Sequence, residues 1–315
     1  MPKFITDSTD INGDRVENPN RVFLKIYSFS LALGTRLKRP DDFFTLSHEL
    51  TYQNYNLKDW SQFIFSTGRS NNLFYKATLS RNSIDQPIYP RKGAQIKTSL
   101  QVTLPYSYLN SQFSSSPKDY GTLADADKYK WAEYYKVKVS ADWYTELANK
   151  LVLKTKVGFG FLGDYNNRIG TAPFERFYLG GSGLTNFQVD AREIIALRGY
   201  DDQSVFPYNP QSAAPLSNTG QPIIGKYTME LRYPLSLNPQ ATIFALGFLE
   251  AGNTWYDNFN PFFVKRSGGF GIRAFLPMFG LLGLDWGHRF DGVETNGAMQ
   301  RSQIHFTIGA NLGEL

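Results

Sequence analysis

Apolar and polar residues alternate along most of this chain with the period of two that sends successive side chains to opposite faces of a β-strand. In 42–55, Phe44, Leu46, Leu50 and Tyr52 alternate with Thr45, Ser47, Glu49, Thr51 and Gln53. In 94–104, Ile96, Leu100, Val102 and Leu104 are interleaved with Gln95, Lys97, Ser99, Gln101 and Thr103. In 133–143, Tyr135, Val137, Val139, Ala141 and Trp143 oppose Tyr134, Lys136, Lys138, Ser140 and Asp142. Comparable segments lie at 23–37, 73–83, 150–162, 225–233, 241–255, 267–276, 281–290 and 302–312, so the pattern predicts eleven strands. The segment 241–255 is apolar on both faces between Phe244 and Leu249, and alternation alone leaves its facing open.

A face carrying Lys, Glu, Gln and Arg cannot meet hydrocarbon, where a midplane Lys or Arg costs about 2–4 kcal/mol. In a soluble sandwich the apolar stripes would instead form a core and the polar face would meet solvent. The length of the stripes, and the Tyr, Trp and Phe gathered near strand ends as in interfacial girdles, favour a transmembrane antiparallel β-barrel whose polar face lines a wet or plugged lumen. The connections alternate between short (near 38–41, 84–93, 145–149, 234–240 and 277–280) and long (near 56–72, 105–131, 163–224, 256–266 and 291–301). Outer-membrane barrels have short periplasmic turns and longer extracellular loops, which places the C-terminus in the periplasm. Eleven up-and-down strands would leave the first and last running in the same direction. Bacterial single-chain barrels have even strand numbers, and lipid tolerates no open sheet edge. The expectation is therefore a fragment. Residues 1–20 read as the remnant of an extracellular loop and 21–315 as the C-terminal part of a transmembrane barrel, with an odd number of strands missing before it.

Composition narrows this reading. A chain of 315 residues can hold two or three ordinary domains or one large barrel, and 16% aromatic residues with 27 Gly favour strands and tight turns. Mean hydropathy is −0.35, and no stretch approaches the roughly 18 apolar residues of a spanning helix, a test that a barrel escapes because only alternate residues face lipid. The absence of cysteine removes disulfides and thiolate metal sites. The formal charge of +5 is dispersed without a basic stripe, so no nucleic-acid partner is expected. His48, His288 and His305 fall on separate segments without metal-binding spacing and read as lipid-interface or lumen residues. No G-x-S-x-G elbow is present, so neither an enzyme nor a metal or cofactor is expected. The N-terminal segment lacks the apolar run of a signal peptide.

The connection 164–224 is the most unusual segment. It contains Pro173-Phe174-Glu175-Arg176-Phe177-Tyr178-Leu179-Gly180-Gly181 and later Leu197-Arg198-Gly199-Tyr200. Together these resemble the P-F-x-E-x-F-Y-x-G-G … V-R-G-F pattern of the BamA family of outer-membrane protein assembly factors, carried there by the sixth extracellular loop, which folds back into the lumen. Three further matches fall in the family's order. Asn82, Asp85, Tyr89, Pro90 and Gly93 resemble its N-x-L-D-x-x-Y-x-P-x-x-G strand-turn-strand. Phe248-Leu249-Glu250-Ala251-Gly252 with Trp255 resembles its F-W-D-x-G-x-x-W strand, and Gly283-Leu284-Asp285-Trp286-Gly287 its penultimate strand. The resemblance covers about residues 23–312. It departs from the family at Leu197 and Tyr200, commonly Val and Phe, at an insertion of about ten residues before Leu197, and at Leu312, where an aromatic is usual.

The resemblance implies a barrel of roughly sixteen strands with POTRA domains before it, so five strands would be missing here. It implies a function: folding unfolded outer-membrane protein clients and inserting them into outer-membrane lipid through a lateral seam between first and last strands. Periplasmic or surface lipoproteins of an assembly complex would be partners, with no nucleotide or cofactor. The alternatives are a related polypeptide exporter and a passive porin. Arg198, on a loop folded into the lumen, would be desolvated and would need an anionic partner. Its planar fork can grip a carboxylate with two bonds, and Glu250, beside Phe248 on the barrel wall, occupies the family's acidic position. The alternative is an exposed Arg-Gly turn bonded to water. Gly180, Gly181 and Gly183 are expected to permit positive φ and close approach, and no strand-to-helix context supports a phosphate cradle. In the last strand Phe306, Ile308, Gly309 and Leu312 resemble the terminal signal at the seam, with Gly309 either a kink or a site of ordinary sheet curvature.

Overall fold

The computed structural model of the protein describes residues 8–9, 15–16, 21–60, 64–114, 118–181, 192–202, 204–205, 220–278, 280–292 and 301–308. Eleven strands form one antiparallel sheet in simple chain order. They are β1 (Phe23–Arg36), β2 (Phe44–Lys58), β3 (Gly68–Asn82), β4 (Lys92–Thr103), β5 (Tyr135–Ala148), β6 (Leu151–Gly163), β7 (Ile223–Asn238), β8 (Ala241–Trp255), β9 (Lys265–Leu276), β10 (Gly280–Arg289) and β11 (Ser302–Ile308). Among the described residues β1 and β11 are the two edges of this sheet. Ser8–Thr9 and Arg15–Val16 pair with each other in a separate short ladder.

The sheet inverts the burial of a soluble protein. Large aliphatics on one face stand open, with Leu249 54% and Ile304 73% exposed, while Glu230, Glu250, Arg273 and Asp285 on the other are buried. An apolar stripe that crosses every strand is suited to hydrocarbon rather than water, which disposes of the soluble sandwich. No helix among the described residues is long and apolar enough to cross a membrane. The facing of 241–255 is now fixed: Phe244, Leu246, Phe248 and Glu250 are buried on the polar side, and Leu249 faces out.

Several boundaries differ from those expected. β5 runs on to Ala148 because the turn needs only Asn149 and Lys150, both at positive φ (42° and 70°), as in two-residue hairpins whose twist matches the strands. β7 continues to Asn238 through Pro234, which is tolerated where the register shifts between Pro234 and Ser236. β3 begins at Gly68, five residues before the expected 73. The long connection after β4 contains two short helices, α1 (Tyr106–Phe113) and α2 (Asp125–Lys128), that alternation did not predict. The Glu133 carboxylate stabilises the start of α1 by accepting the Ser107 backbone N–H and hydroxyl, each at 2.7 Å.

The core lies between the sheet's polar face and the described residues of the connection after β6. Phe177–Leu179 pairs in parallel with Glu193–Ile195, and Leu179, Ile195, Leu197 and Tyr200 pack with Leu162 and Ile224 of the sheet and with Tyr134, just before β5. On the same face, nearer the β1 edge, Phe174 stacks on Tyr55 of β2, centroids 4.4 Å apart. The connection thus crosses the polar face from β2 to the strands that hold Arg198.

Candidate functional site

Cross-strand register arranges the polar-face side chains in rows. One row reads Thr228, Glu250, Ser267, Arg289 across β7 to β10. The next reads Glu230, Phe248, Gly269, Gly287, Gln303 across β7 to β11, and the third Arg232, Leu246, Gly271, Asp285, His305. A buried aromatic is therefore ringed by carboxylates above, beside and diagonally below it, with two glycines flattening the wall next to it.

Arg198 occupies that space. Its Cζ lies 3.7 Å from the centroid of the Phe248 ring. Nη2 donates to Glu230 Oε1 at 2.7 Å and to Glu250 Oε1 at 2.9 Å, and Nη1 is 3.7 Å from Asp285 Oδ1. The backbone N–H of Arg198 also donates to Glu250 Oε2, at 2.8 Å. Only 1% of the residue is exposed. Burial works to lower the guanidinium's pKa, but Glu250, Glu230 and Asp285 outweigh it and raise it, so the group remains charged. Each carboxylate keeps a second cation. Arg232 Nε donates to Glu230 at 2.9 Å, Lys226 Nζ lies 3.2 Å from Glu250, and Arg273 grips Asp285 with two bonds of 2.9 and 2.7 Å. Such compensation is what allows several charges to share a water-poor site.

Glycine lets the turn after Arg198 come close. Gly199 has φ +89°, and a Cβ on Gly287 would stand 2.6 Å from the Gly199 nitrogen, so a side chain at 287 would displace the turn. The Gly199 N–H donates to His305 Nε2 at 2.8 Å. The Tyr200 hydroxyl, its pKa raised chiefly by burial, donates to the Arg266 carbonyl at 2.8 Å. Gly180 and Gly181 have φ of +120° and +96°, and a Cβ at Gly181 would collide with the Asp202 carboxylate. The Gly181 N–H then donates to the Tyr200 carbonyl at 3.1 Å, tying the first motif of the connection to the second.

A second ionic anchor holds the same connection. Lys136 Nζ of β5 donates to the Glu175 carbonyl at 2.8 Å and lies 3.1 and 2.7 Å from the carboxylates of Glu175 and Glu193. Lys138 bonds the other Glu193 oxygen. Burial works to raise the Glu193 carboxyl, but Lys136 and Lys138 outweigh it and hold its pKa at about 2.

The structure thus brings together Leu197, Arg198, Gly199, Tyr200, Phe248 and Glu250, with Gly180 and Gly181 behind them, and Arg198 holds Glu250 through one guanidinium bond and its backbone N–H rather than a two-bond guanidinium grip. Phe306 and Ile308 lie on the outward face of β11, 45% and 46% exposed, and do not reach this site. Gly183, Gly309 and Leu312 lie outside the described residues. Sequence reasoning missed Glu230 and Asp285 as partners of Arg198, and Lys226, Arg273 and His305 around them. For Lys226 and Glu230 a signal was present: the alternation in 225–233 already put Lys226, Glu230 and Arg232 on one polar face. Among the described residues no three His, Asp or Glu side chains are arranged to hold a metal ion.

The family model of the Omp85 superfamily domain matches residues 14–311. The chain belongs to the Omp85 superfamily. Two solved structures share the fold of this Omp85 chain. One is BamA from Haemophilus ducreyi lacking POTRA domains 1-3, with TM-score 0.62 and 17% identity over 92% of this chain and 55% of that one. The other is CdiB from Escherichia coli, with TM-score 0.54 and 12% identity over 93% of this chain and 47% of that one. The Omp85 chain spans about half the length of each. At these identities the likeness establishes fold alone. No curated protein matches the sequence. Membership makes the sheet part of a bacterial outer-membrane β-barrel, and the Arg198 cluster a feature of its polar side.

Proposed function

We propose that this chain is the C-terminal barrel portion of an outer-membrane protein assembly factor, which folds unfolded β-barrel clients and inserts them into outer-membrane lipid. The reading places its eleven strands in a barrel of roughly sixteen, with periplasmic POTRA domains upstream, long loops outside and the C-terminus in the periplasm. A lateral seam at the last strand offers unpaired backbone groups to a client strand, satisfying N–H and C=O groups that lipid cannot. No covalent chemistry, nucleotide or cofactor is needed, and accessory lipoproteins would complete the machine.

The observation that carries this reading is the burial of Arg198 among three carboxylates from three strands, on a connection that covers the polar face. A passive porin has no use for a charged loop fixed at such desolvation cost across its conducting surface. Depletion in the native bacterium is the test. Many unrelated barrel proteins should fall together in the outer membrane, whereas loss of a single exported polypeptide or of one solute's uptake would overturn the assembly reading in favour of an exporter or a porin.

A further inference from the structure

The terminal strand touches the loop in a way that the Arg198 cluster does not require. Arg198 is held by Glu230, Glu250 and Asp285 of β7, β8 and β10, none of them on β11. Two inward side chains of β11 nevertheless reach the same turn. His305 accepts the Gly199 N–H through Nε2 at 2.8 Å, and Gln303 donates through Nε2 to the Asp201 carboxylate. Arg289, at the end of β10, has Nη1 3.9 Å from the other oxygen of Asp201. Among the described residues the main-chain ladder between β10 and β11 has seven residue pairs, from Leu282↔Ile308 to His288↔Ser302.

The geometry leaves the turn little freedom to find other partners. Gly199 is pressed against the Gly287 backbone at φ +89°, which fixes the aim of its N–H. Without His305 that donor would be buried with no acceptor, a loss comparable to a full hydrogen bond. Because Nε2 accepts, it carries no proton in this arrangement, and an acceptor is what the position demands. We infer that His305 and Gln303 are positioning residues that lock the terminal strand to the turn 197–201, so that β11 leaves β10 only when the turn lets go. This rests on the proposed insertion at a terminal seam, of which β11 would form one edge, and the lock would hold that edge on β10 while the loop is docked.

The test is hydrogen–deuterium exchange on the full-length protein in lipid nanodiscs, read at the β10–β11 ladder and at the amides of Gly181, Gly199 and Tyr200. His305→Leu removes the acceptor at similar volume and should speed exchange at both places by about five- to tenfold, the loss of one buried hydrogen bond. His305→Gln offers an amide oxygen and should restore the wild-type pattern, which a merely space-filling histidine would not require. Arg198→Ala, which removes ion pairs to β7, β8 and β10 alone, should also speed the β10–β11 ladder. If it frees the turn and leaves that ladder at the wild-type rate, there is no lock. The same conclusion follows if His305→Leu loosens β11 alone. Should His305→Leu fail to fold, Asp201→Ala, whose side chain is 44% exposed, applies the same test through Gln303 and Arg289. Insertion of an unfolded barrel client, measured on the same samples, separates the two readings. Coupled exchange in a wild-type protein that inserts nothing supports the lock and removes the insertion reading.

Discussion

Arg198→Ala should detach the loop without unfolding the sheet, and the size of the effect follows from what each carboxylate retains. Breaking a buried ion pair costs about 3–5 kcal/mol when the surviving charge is left uncompensated. Here Glu230 keeps Arg232 at 2.9 Å, Glu250 keeps Lys226 at 3.2 Å, and Asp285 keeps both bonds to Arg273. The backbone bond from residue 198 to Glu250 also survives the substitution. What disappears is two charge-assisted side-chain bonds, the contact with the Phe248 ring and the long approach to Asp285. The expected loss is therefore below the usual range, about 2–3 kcal/mol, or roughly 30- to 150-fold in the docking equilibrium. Lysine at 198 should recover only part of it, because a compact ammonium cannot lie flat over the Phe248 ring and approach Asp285 while bonding Glu230 and Glu250. Hydrogen exchange in the full-length protein in lipid reads this directly. The Gly180, Gly181 and Tyr200 N–H groups bond within the loop and should exchange faster by that factor, while the β7–β8 ladder stays protected. Wild-type exchange at those three amides would refute the reasoning, and so would loss of protection throughout the sheet.

Three further outcomes follow. Gly287→Ala places a Cβ 2.6 Å from the Gly199 nitrogen and should loosen the loop by about 1–3 kcal/mol in the same exchange measurement, whereas Gly247→Ala, with only a carbonyl oxygen 3.9 Å away, should be neutral. The Glu193 carboxyl, held at about 2 by Lys136 and Lys138, stabilises the docked loop fully above the unfolded carboxylate pKa near ~4.3 and loses that contribution as pH falls toward about 2. Lys136→Met raises the Glu193 carboxyl, so pepsin should begin to cut within 175–200 at a higher pH than in the wild type; an unchanged onset would mean that Lys136 is not the anchor. Tyr89→Phe removes the one hydroxyl proton that the Lys150 and Arg232 carbonyls share, 2.9 and 3.0 Å away, and should lower the apparent Tm by an amount equivalent to about 1–2 kcal/mol while leaving the loop docked.

The readable and unreadable parts of this fold divide on physical lines. Strand facing is a local property, so alternation alone places Lys136 and Lys138 on one side of β5 and Val137 and Val139 on the other. Strand ends are set by turns, and the segment Thr145 to Asn149 reads as the connection until Asn149 and Lys150 are seen to close the hairpin unaided. α1 has no strong apolar stripe, and Glu133, twenty-six residues from Ser107, helps to fix its start. The Arg198–Glu250 pair came from the resemblance, since nothing local joins residues 52 apart. Glu230 and Asp285 needed more, namely a register that sets Glu230 beside Phe248 and Asp285 one row away. A one-residue slip in either ladder would turn those carboxylates toward lipid. The His305 contact depends on register and on the Gly199–Gly287 approach together, which is why a lone histidine in an alternating segment gave no sign of it.

Reconstitution tests the central claim most directly. The full-length protein is placed in lipid vesicles, a urea-unfolded outer-membrane barrel is added by dilution, and its conversion to the heat-modifiable folded form is followed on cold gels. The account predicts faster folding with the wild-type protein than with empty vesicles, and a reduced rate with Arg198→Ala. Folding no faster than in empty vesicles, together with a large steady ion conductance while the loop is docked, would contradict it.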